Sequence, residues 1–452
     1  MSLLGVIRSV VLARLLTPDI FGMMALALIV VRAIETFTRP GVAQALIART
    51  QSFEEASGTA FTLLVWRGVL LAACLAIAAP FVADFYDSPQ LSPMLMVLGG
   101  VFVLGGFRNI NTIARQKELE FRQLTYLAQS ANVAGTIVTI ALAWWLRSVW
   151  ALVAGQLVTA ALNAGLSYWF VPGRVRFTFD RVVARDLLSY GKFVTASSVL
   201  LFIATEIDSA VIGKVLGTES LGYYTVAFTI VHLSTTQLAK VASSIMMPAY
   251  SKLQSDRGAL RGAYLRTLTL VMFAVLPASV GIILLAEPII RVVYGEKWLP
   301  AVVPLQILAT FGLFRSLAAI SGYLFEGIGK PKASMIMGAC RLAFIVPLIV
   351  PLAAKFGLAG AATVVTAGMA VQWLVGLVML YRELGVGLGT TLKAMGRPSW
   401  SAAVMGAVAW GLTFLVDVGS LWGLLLTVCT AAAVYMLLNL TFLIALKNER
   451  WS

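Results

Sequence analysis

The stretch VLARLLTPDIFG, residues 11–22, recurs two hundred positions later as VIGKVLGTESLG, residues 211–222. A basic residue, a leucine, an acid and a glycine fall in the same register in both copies. A second register, at a separation of 208, aligns six more pairs: Pro80 with Pro288, Tyr86 with Tyr294, Glu118 with Glu326, Arg122 with Lys330, Arg147 with Lys355 and Ala151 with Ala359. Two consistent registers indicate that the chain contains an internal duplication.

The composition is that of a membrane protein. The chain has 452 residues, 60% hydrophobic and only 12% charged, whereas a soluble domain carries about 25% charged residues. Apolar runs of the roughly 20 residues needed to cross a bilayer recur along it. The sequence predicts an all-α polytopic membrane protein with about fourteen spans, at residues 3–16, 20–46, 58–85, 92–113, 124–146, 149–171, 193–216, 221–248, 267–293, 301–325, 334–354, 358–381, 400–416 and 420–446.

The duplication groups these spans into two sets. Span 1 matches span 7 and span 6 matches span 12, so an even number of spans separates the copies and both share one orientation. The prediction is therefore two pseudo-symmetric six-helix lobes that face each other across a central cavity. The N-lobe is expected at residues 1–172, a basic cytoplasmic linker at 173–192, the C-lobe at 193–384, and spans 13 and 14 with a cytoplasmic tail at 385–452.

The basic residues in the connections predict the orientation. The even-numbered connections and the C-terminal tail hold 20 Lys and Arg residues, whereas the odd-numbered ones hold 3. The positive-inside rule places the first set, and both termini, in the cytoplasm. This distribution also accounts for the net charge of +14, so nucleic acid is not an expected partner.

The first span is unusually short. About 14 apolar residues precede Thr17, fewer than the roughly 20 that a crossing needs, and the counterpart in span 7 is longer. We expect that some 15–25 residues, the amount that a full first span requires, are missing from the N-terminus. A short, re-entrant first helix is the alternative.

Eleven basic side chains fall inside the predicted spans. A charge at the bilayer centre costs about 2.5–3.5 kcal/mol on insertion scales, so such residues face a partner or a water-filled cavity. Several lie near span ends, where they can reach the interface, or can pair within the bundle: Arg14, Arg67, Lys214, Arg291 and Arg341.

Four arginines in the first half are candidates for substrate binding: Arg8, Arg32, Arg39 and Arg108. Arg32 and Arg39 lie seven residues apart on one helix face, and Glu35 follows Arg32 at the i+3 position. An Arg32–Glu35 pair would leave the other three guanidiniums in excess. Guanidinium groups bind phosphate or pyrophosphate bidentately, so the pattern predicts an anionic substrate.

The second half presents acids at an equivalent depth. In the repeat Arg8 corresponds to Asp208, and Glu206 lies nearby. Two roles remain open for Glu206 and Asp208, and with them for Glu35 and Lys240: ion pairing between the lobes, or binding of a coupling cation.

No catalytic chemistry is expected. The chain lacks the Walker A, HExxH and GxSxG motifs, and its single histidine, His232, lies in an apolar helix. The three cysteines share no metal-ligand spacing. The sequence therefore predicts a protein that is not an enzyme, with no metal and no cofactor.

Several motifs carry a family resemblance. The stretch LARLLTPDIFG at residues 12–22 resembles the start of polysaccharide export flippases, the Wzx-type members of the multidrug/oligosaccharidyl-lipid/polysaccharide exporter superfamily. Supporting motifs are MPAYSK at 247–252, EP at 287–288, VYGEKW at 293–298 and GIGKP at 327–331. The pattern looks most like exporters of colanic-acid-like exopolysaccharide units.

The resemblance implies a function. It implies a V-shaped bundle, similar to multidrug exporters, in the bacterial inner membrane. This bundle would move an undecaprenyl-pyrophosphate-linked oligosaccharide from the cytoplasmic to the periplasmic leaflet by alternating access. Glycosyltransferases and a polymerase would be its partners. A multidrug/cation antiporter and a lipid II flippase of the same superfamily are the alternatives.

Overall fold

The computed structural model describes residues 3–38, 42–48, 53–173 and 175–440 of the chain. Across these ranges the regular elements are fifteen α-helices, one π-helical turn and one 3-10 helix, and none is a strand. The prediction of an all-α polytopic membrane protein is confirmed. The chain forms two compact units, residues 2–222 and 223–452.

The first unit contains the N-terminal helices. Helix α2 packs against α4, α5 and α9, while α8 packs along α9 and also contacts α1. Helix α10 begins in this unit and continues into the second. The bounds are α1 Leu3–Leu15, α2 Pro18–Phe37, α3 Val42–Ala48, α4 Phe53–Phe85, α5 Leu91–Leu98, α6 Gly100–Gly106, α7 Asn111–Lys117, α8 Phe121–Leu146, α9 Val149–Phe170 and α10 Arg181–Leu253.

The second unit contains the remaining helices. Helix α12 packs against α11 and α13, and α14 packs against α11 and α15. The bounds are α11 Arg257–Ile289, a π turn at Ile290–Tyr294, a 3-10 helix at Glu296–Ala301, α12 Val302–Gly327, α13 Pro331–Leu384, α14 Leu388–Leu415 and α15 Leu421–Leu438.

Local sequence sets where the helices begin. Pro18 occupies the first turn of α2, where its missing N–H is not needed. Ser148 caps α9 by accepting from the Trp150 N–H. Asp256 caps α11, because its carboxylate accepts from the N–H groups of Gly258 and Ala259.

Two long helices are each interrupted at a glycine. Gly217 in α10 has φ +83°, and Gly357 in α13 has φ +61°. A side chain at either position would be strained, because L-residues rarely adopt positive φ. The two interruptions lie at the predicted boundaries between spans 7 and 8 and between spans 11 and 12.

The number of spans differs between sequence and structure. Among the described residues, eight helices are long and apolar enough to cross a membrane, or nine if the bent pair Leu91–Gly106 and Asn111–Lys117 forms one span. Helix α1 has only 13 residues, and α13 covers two predicted spans. The total of fourteen therefore stays a prediction.

The two copies of the repeated motif lie against each other inside the first unit. A side-chain carbon at Gly22 would overlap the carbonyl oxygen of Thr218, and one at Gly222 would overlap that of Pro18. The Thr218 hydroxyl also donates a hydrogen bond to the Asp19 carboxylate. The glycine that the two copies share is therefore required for the close approach between them.

The division at Gly222 does not coincide with the predicted lobe boundary. The predicted C-lobe starts at residue 193, whereas the first compact unit extends to Gly222. Most of the first half of α10 thus packs with the N-terminal helices. The lobe boundaries drawn from the repeat stay a prediction.

Candidate functional site

Arg32 on α2 and Glu206 on α10 form an ion pair inside the first unit. The Arg32 Nη2 atom lies 3.0 Å from the Glu206 Oε2 atom. The Arg32 side chain is 46% exposed and that of Glu206 21% exposed, so the pair remains open to a ligand. The rings of Phe37 and Phe202 meet edge to face with their centroids 6.0 Å apart, which also joins α2 to α10.

The Arg32–Glu35 pair expected from the spacing does not form. Within the described residues, the carboxylate that binds Arg32 is Glu206, and no ion pair joins Arg32 to Glu35. The backbone carbonyl of Glu35 instead accepts a hydrogen bond from Arg67. An i,i+3 pair on one helix gains little energy, so a carboxylate on a facing helix displaces it.

Asp208 differs from Glu206 although it lies only two residues further along α10. Its side chain is buried, with 5% exposure. One of its carboxylate oxygens accepts from the backbone N–H of Ser209, with a distance of 2.9 Å. Asp208 therefore lies within the packed helices, whereas Glu206 stays accessible.

Arg8 lies on α1 and is half-buried. It makes no ion pair with any carboxylate in the part of the chain that the structure describes. The repeat aligns Arg8 with Asp208 in sequence, but the structure does not bring these two side chains into an ion pair. Arg8 thus keeps its charge uncompensated by the described residues.

Arg108 lies in a helix break and not inside a continuous helix. Helix α6 ends at Gly106 and α7 starts at Asn111, with a bend of 62° between the two segments. Arg108 is exposed and, like Arg8, has no ion pair with a carboxylate in the described ranges. Predicted span 4, at residues 92–113, is therefore broken at the position of its arginine.

A buried polar group beside Arg108 was not predicted from the sequence. Asn109 is 1% exposed and hydrogen bonds to the end of α9 at Ser167 and Val171. The sequence does contain an indication of this buried polar group, because RNIN at residues 108–111 interrupts the apolar run after two glycines. An asparagine pair in a membrane span indicates backbone groups that need new partners.

Two candidates lie outside the described residues, and three other basic residues of the spans have partners near helix ends. Arg39 lies outside them, and so does the side chain of Lys240. Arg67 donates to the carbonyls of Glu35 and Thr38 and so caps the end of α2. Lys214 pairs with Asp87 at 2.6 Å, and Arg291 pairs with Glu287 at 2.8 Å. In the described ranges no group of three or more His, Cys, Asp or Glu residues could hold a metal ion.

Solved structures identify the fold. A structure of the lipid II flippase MurJ in an inward closed conformation matches with a TM-score of 0.78 and 14% identity, over 98% of this chain and 97% of that one. An inward-facing multidrug transporter of the MATE family and the MOP superfamily matches with a TM-score of 0.63 and 19% identity, over 85% of this chain and 95% of that one. The chain therefore shares the fold of these two proteins.

The chain belongs to the family of polysaccharide biosynthesis proteins, because the model of that family matches residues 11–303. The lipopolysaccharide biosynthesis protein WzxC of Escherichia coli K12 is 26% identical over 343 residues, which is 75% of this chain and 67% of the relative. The teichuronic acid biosynthesis protein TuaB of Bacillus subtilis 168 is 24% identical over 404 residues, 88% of this chain and 83% of the relative.

A third relative is named as a transporter. The succinoglycan biosynthesis transport protein ExoT of Rhizobium meliloti 1021 is 24% identical over 325 residues, 71% of this chain and 65% of the relative. The resemblance to polysaccharide exporters and the prediction of a transporter instead of an enzyme are both confirmed.

Proposed function

We propose that this protein is a flippase that moves an undecaprenyl-pyrophosphate-linked oligosaccharide from the cytoplasmic to the periplasmic leaflet by alternating access. Membership of the polysaccharide biosynthesis family supports this function, as do the named roles of its relatives. The fold shared with a lipid flippase and a multidrug transporter is compatible with it.

The observation that carries the proposal is the set of arginines in the first unit. Arg32 has one accessible carboxylate partner, and Arg8 and Arg108 have none among the described residues. Guanidinium groups inside the membrane need a counter-charge or water. The pyrophosphate of a lipid-linked sugar supplies that charge and can accept paired hydrogen bonds from each guanidinium.

The Arg32–Glu206 ion pair provides a counter-charge for the guanidinium in the empty transporter. With no substrate bound, Glu206 neutralises Arg32. A pyrophosphate that enters the site displaces Glu206 and takes over the guanidinium. Glu206 then becomes available to a cation, which links the two roles considered for the acids of the second half.

The orientation and partners belong to the same proposal. Both termini lie on the cytoplasmic side of the bacterial inner membrane, and two six-helix lobes, residues 1–172 and 193–384, alternate around the substrate. The basic residues of the even-numbered connections support this orientation. Glycosyltransferases deliver the substrate and a polymerase receives it.

Complementation tests the proposal. The gene is placed in a host that lacks its own exopolysaccharide flippase, beside Arg8→Ala, Arg108→Ala and the control Arg291→Ala. A charged hydrogen bond contributes about 1.5–3 kcal/mol, so we expect polymer export to fall roughly 10- to 100-fold in the first two variants. Arg291 is paired with its own helix neighbour, and its variant should match the parent. Membrane levels are compared by immunoblot.

The outcomes also distinguish the alternatives. Full polymer export by both Arg8→Ala and Arg108→Ala would exclude the proposed anion site. Rescue of cells depleted of their lipid II flippase, with no polymer in a panel of exopolysaccharide hosts, would identify a lipid II flippase. Efflux of an organic cation that is insensitive to Arg108→Ala would identify an antiporter.

A further inference from the structure

The break at Arg108 leaves backbone groups without helical partners. Between Gly106 and Asn111 the chain departs from the helix and turns by 62°. In a membrane, irregular backbone is tolerated only where other groups of the protein satisfy it or where it lines a water-filled cavity. The side chains that hydrogen bond to these backbone groups therefore determine where Arg108 lies.

The Asn109 side chain supplies one of these partners and also binds the end of α9. The Asn109 Nδ2 group donates to the carbonyl of Val171 at 2.8 Å and to that of Ser167 at 3.5 Å. Its Oδ1 atom accepts from the backbone N–H and the side-chain amide of Asn111, both at 3.0 Å. Asn109 thus uses all of its hydrogen-bonding capacity to join the start of α7 to the end of α9.

The backbone on either side of Arg108 is held as well. The Asn109 N–H donates to the Ser167 hydroxyl at 2.9 Å, and the Tyr168 hydroxyl donates to the Phe107 carbonyl at 2.8 Å. Both peptide groups that flank Arg108 are therefore fixed to α9. We name Asn109, Ser167 and Tyr168 the Asn109 cluster.

The same cluster separates buried from exposed residues. Asn109 and Ile110 are buried, while Phe107 and Arg108 are exposed. Helix α6 also packs closely on α4, because a Cβ at Gly106 would lie only 2.8 Å from the Leu64 carbonyl oxygen. The backbone at Arg108 is thus held against both α4 and α9.

We infer that Asn109 is a positioning residue for substrate binding: it fixes the helix break so that Arg108 presents its guanidinium to the pyrophosphate. This inference rests on the proposed function, in which Arg108 binds that group. Asn109 itself does not touch the substrate. The Asn109 cluster preorganises Arg108, so that binding does not have to order the segment first.

A binding measurement on the purified full chain tests this role. The probe is farnesyl pyrophosphate, a short polyprenyl pyrophosphate, with inorganic pyrophosphate and farnesol as separate arms. The variants are Arg108→Ala, Asn109→Ala, their combination, and Tyr168→Phe. Tyr168 is 44% exposed, so we expect Tyr168→Phe to fold even if Asn109→Ala does not.

We expect Arg108→Ala to weaken binding of farnesyl pyrophosphate roughly 10- to 100-fold. Asn109→Ala should weaken it about tenfold, the size of loss seen when a residue that orients a metal ligand is removed. Tyr168→Phe should weaken it about threefold, since it removes only one of the supporting hydrogen bonds. The double variant should bind no more weakly than Arg108→Ala alone, because Asn109 acts only through Arg108.

A matched control separates positioning from general stability. Asn439 is also fully buried, at 0% exposure, and its Nδ2 donates to the Tyr435 carbonyl at 2.8 Å. Asn439→Ala should lower the melting temperature as Asn109→Ala does but leave the affinity for farnesyl pyrophosphate unchanged.

Three results would overturn the inference. Parental binding by Asn109→Ala and Tyr168→Phe, with weak binding by Arg108→Ala, would leave the Asn109 cluster with a structural role only. Additive losses in the double variant would have the same meaning. Parental binding by Arg108→Ala would instead remove the anion site of the proposed function. Equal affinity for farnesyl pyrophosphate and inorganic pyrophosphate would support recognition of the anion alone. Farnesol lacks the pyrophosphate, so loss of binding is expected for it whether or not the two pyrophosphates bind equally.

Discussion

Arg32 and Arg67 lie on neighbouring helices, yet their guanidiniums bind different kinds of group. Arg67 donates to backbone carbonyls at the end of α2, which are the groups that a helix leaves unsatisfied at its C-terminus. Arg32 binds a carboxylate on α10 instead. A substrate can compete for the second kind of contact by offering a better anion, whereas displacing Arg67 would also expose the end of a helix.

The Arg32–Glu206 contact predicts the direction in which the affinity for an anionic probe changes when Glu206 is neutralised. If Glu206 competes with the substrate for Arg32, then Glu206→Gln should tighten binding of farnesyl pyrophosphate severalfold, because removing an ion-pair partner frees the guanidinium. Arg32→Ala should weaken the same binding. The measurement is a titration of each purified variant in detergent.

Glu287→Gln is the control for this comparison. Glu287 pairs with Arg291 one helical turn further along the second unit, so its variant should bind the probe as the parent does. Weaker binding by Glu206→Gln would show that Glu206 supports the substrate and does not compete with it.

At the scale of elements, the repeated motif places two helix starts in contact. Gly22 lies in the first turns of α2, and Gly222 follows the interruption of α10 at Gly217. Each glycine faces the backbone of the other copy of the motif. The duplication visible in the sequence thus corresponds to a reciprocal contact in the structure.

Substitution of these glycines should disrupt the contact. In Gly22→Ala the added carbon overlaps the Thr218 carbonyl oxygen, and the backbone must move. Overpacking of this kind typically costs about 1–3 kcal/mol, so the melting temperature in detergent should fall clearly. Gly165→Ala in α9 is the control, because a Cβ at Gly165 would have no neighbouring atom within 4 Å. An unchanged melting temperature for Gly22→Ala would contradict the close approach.

At the scale of the whole molecule, the orientation is the feature that a direct measurement can decide. A reporter that fluoresces only in the cytoplasm, inserted after Gly329, should fluoresce, because this connection carries the basic residues Lys330 and Lys332. The same reporter inserted after Arg147 should stay dark, since this connection is expected on the periplasmic side. A periplasmic phosphatase at the same two positions should give the opposite pattern, and a reversal of both patterns would invert the proposed topology.

The sequence by itself determined the class of the protein, its family and the presence of an internal repeat. These features depend on hydropathy and on short motifs, which are local properties of the chain. The glycine interruptions at Gly217 and Gly357 also fall where the sequence predicts span boundaries. The fourteen spans and the lobe boundaries remain predictions from the sequence.

Only the tertiary structure decided which charges meet. Arg32 lies 174 positions from Glu206, and the nearer Glu35 was the partner expected from helical spacing. The break at Arg108 likewise depends on α9, because Asn109 finds its hydrogen-bond partner Ser167 58 positions further along the chain. Periodicity specifies the face of a helix on which a side chain lies, but the packing of distant helices determines the partner that it finds there.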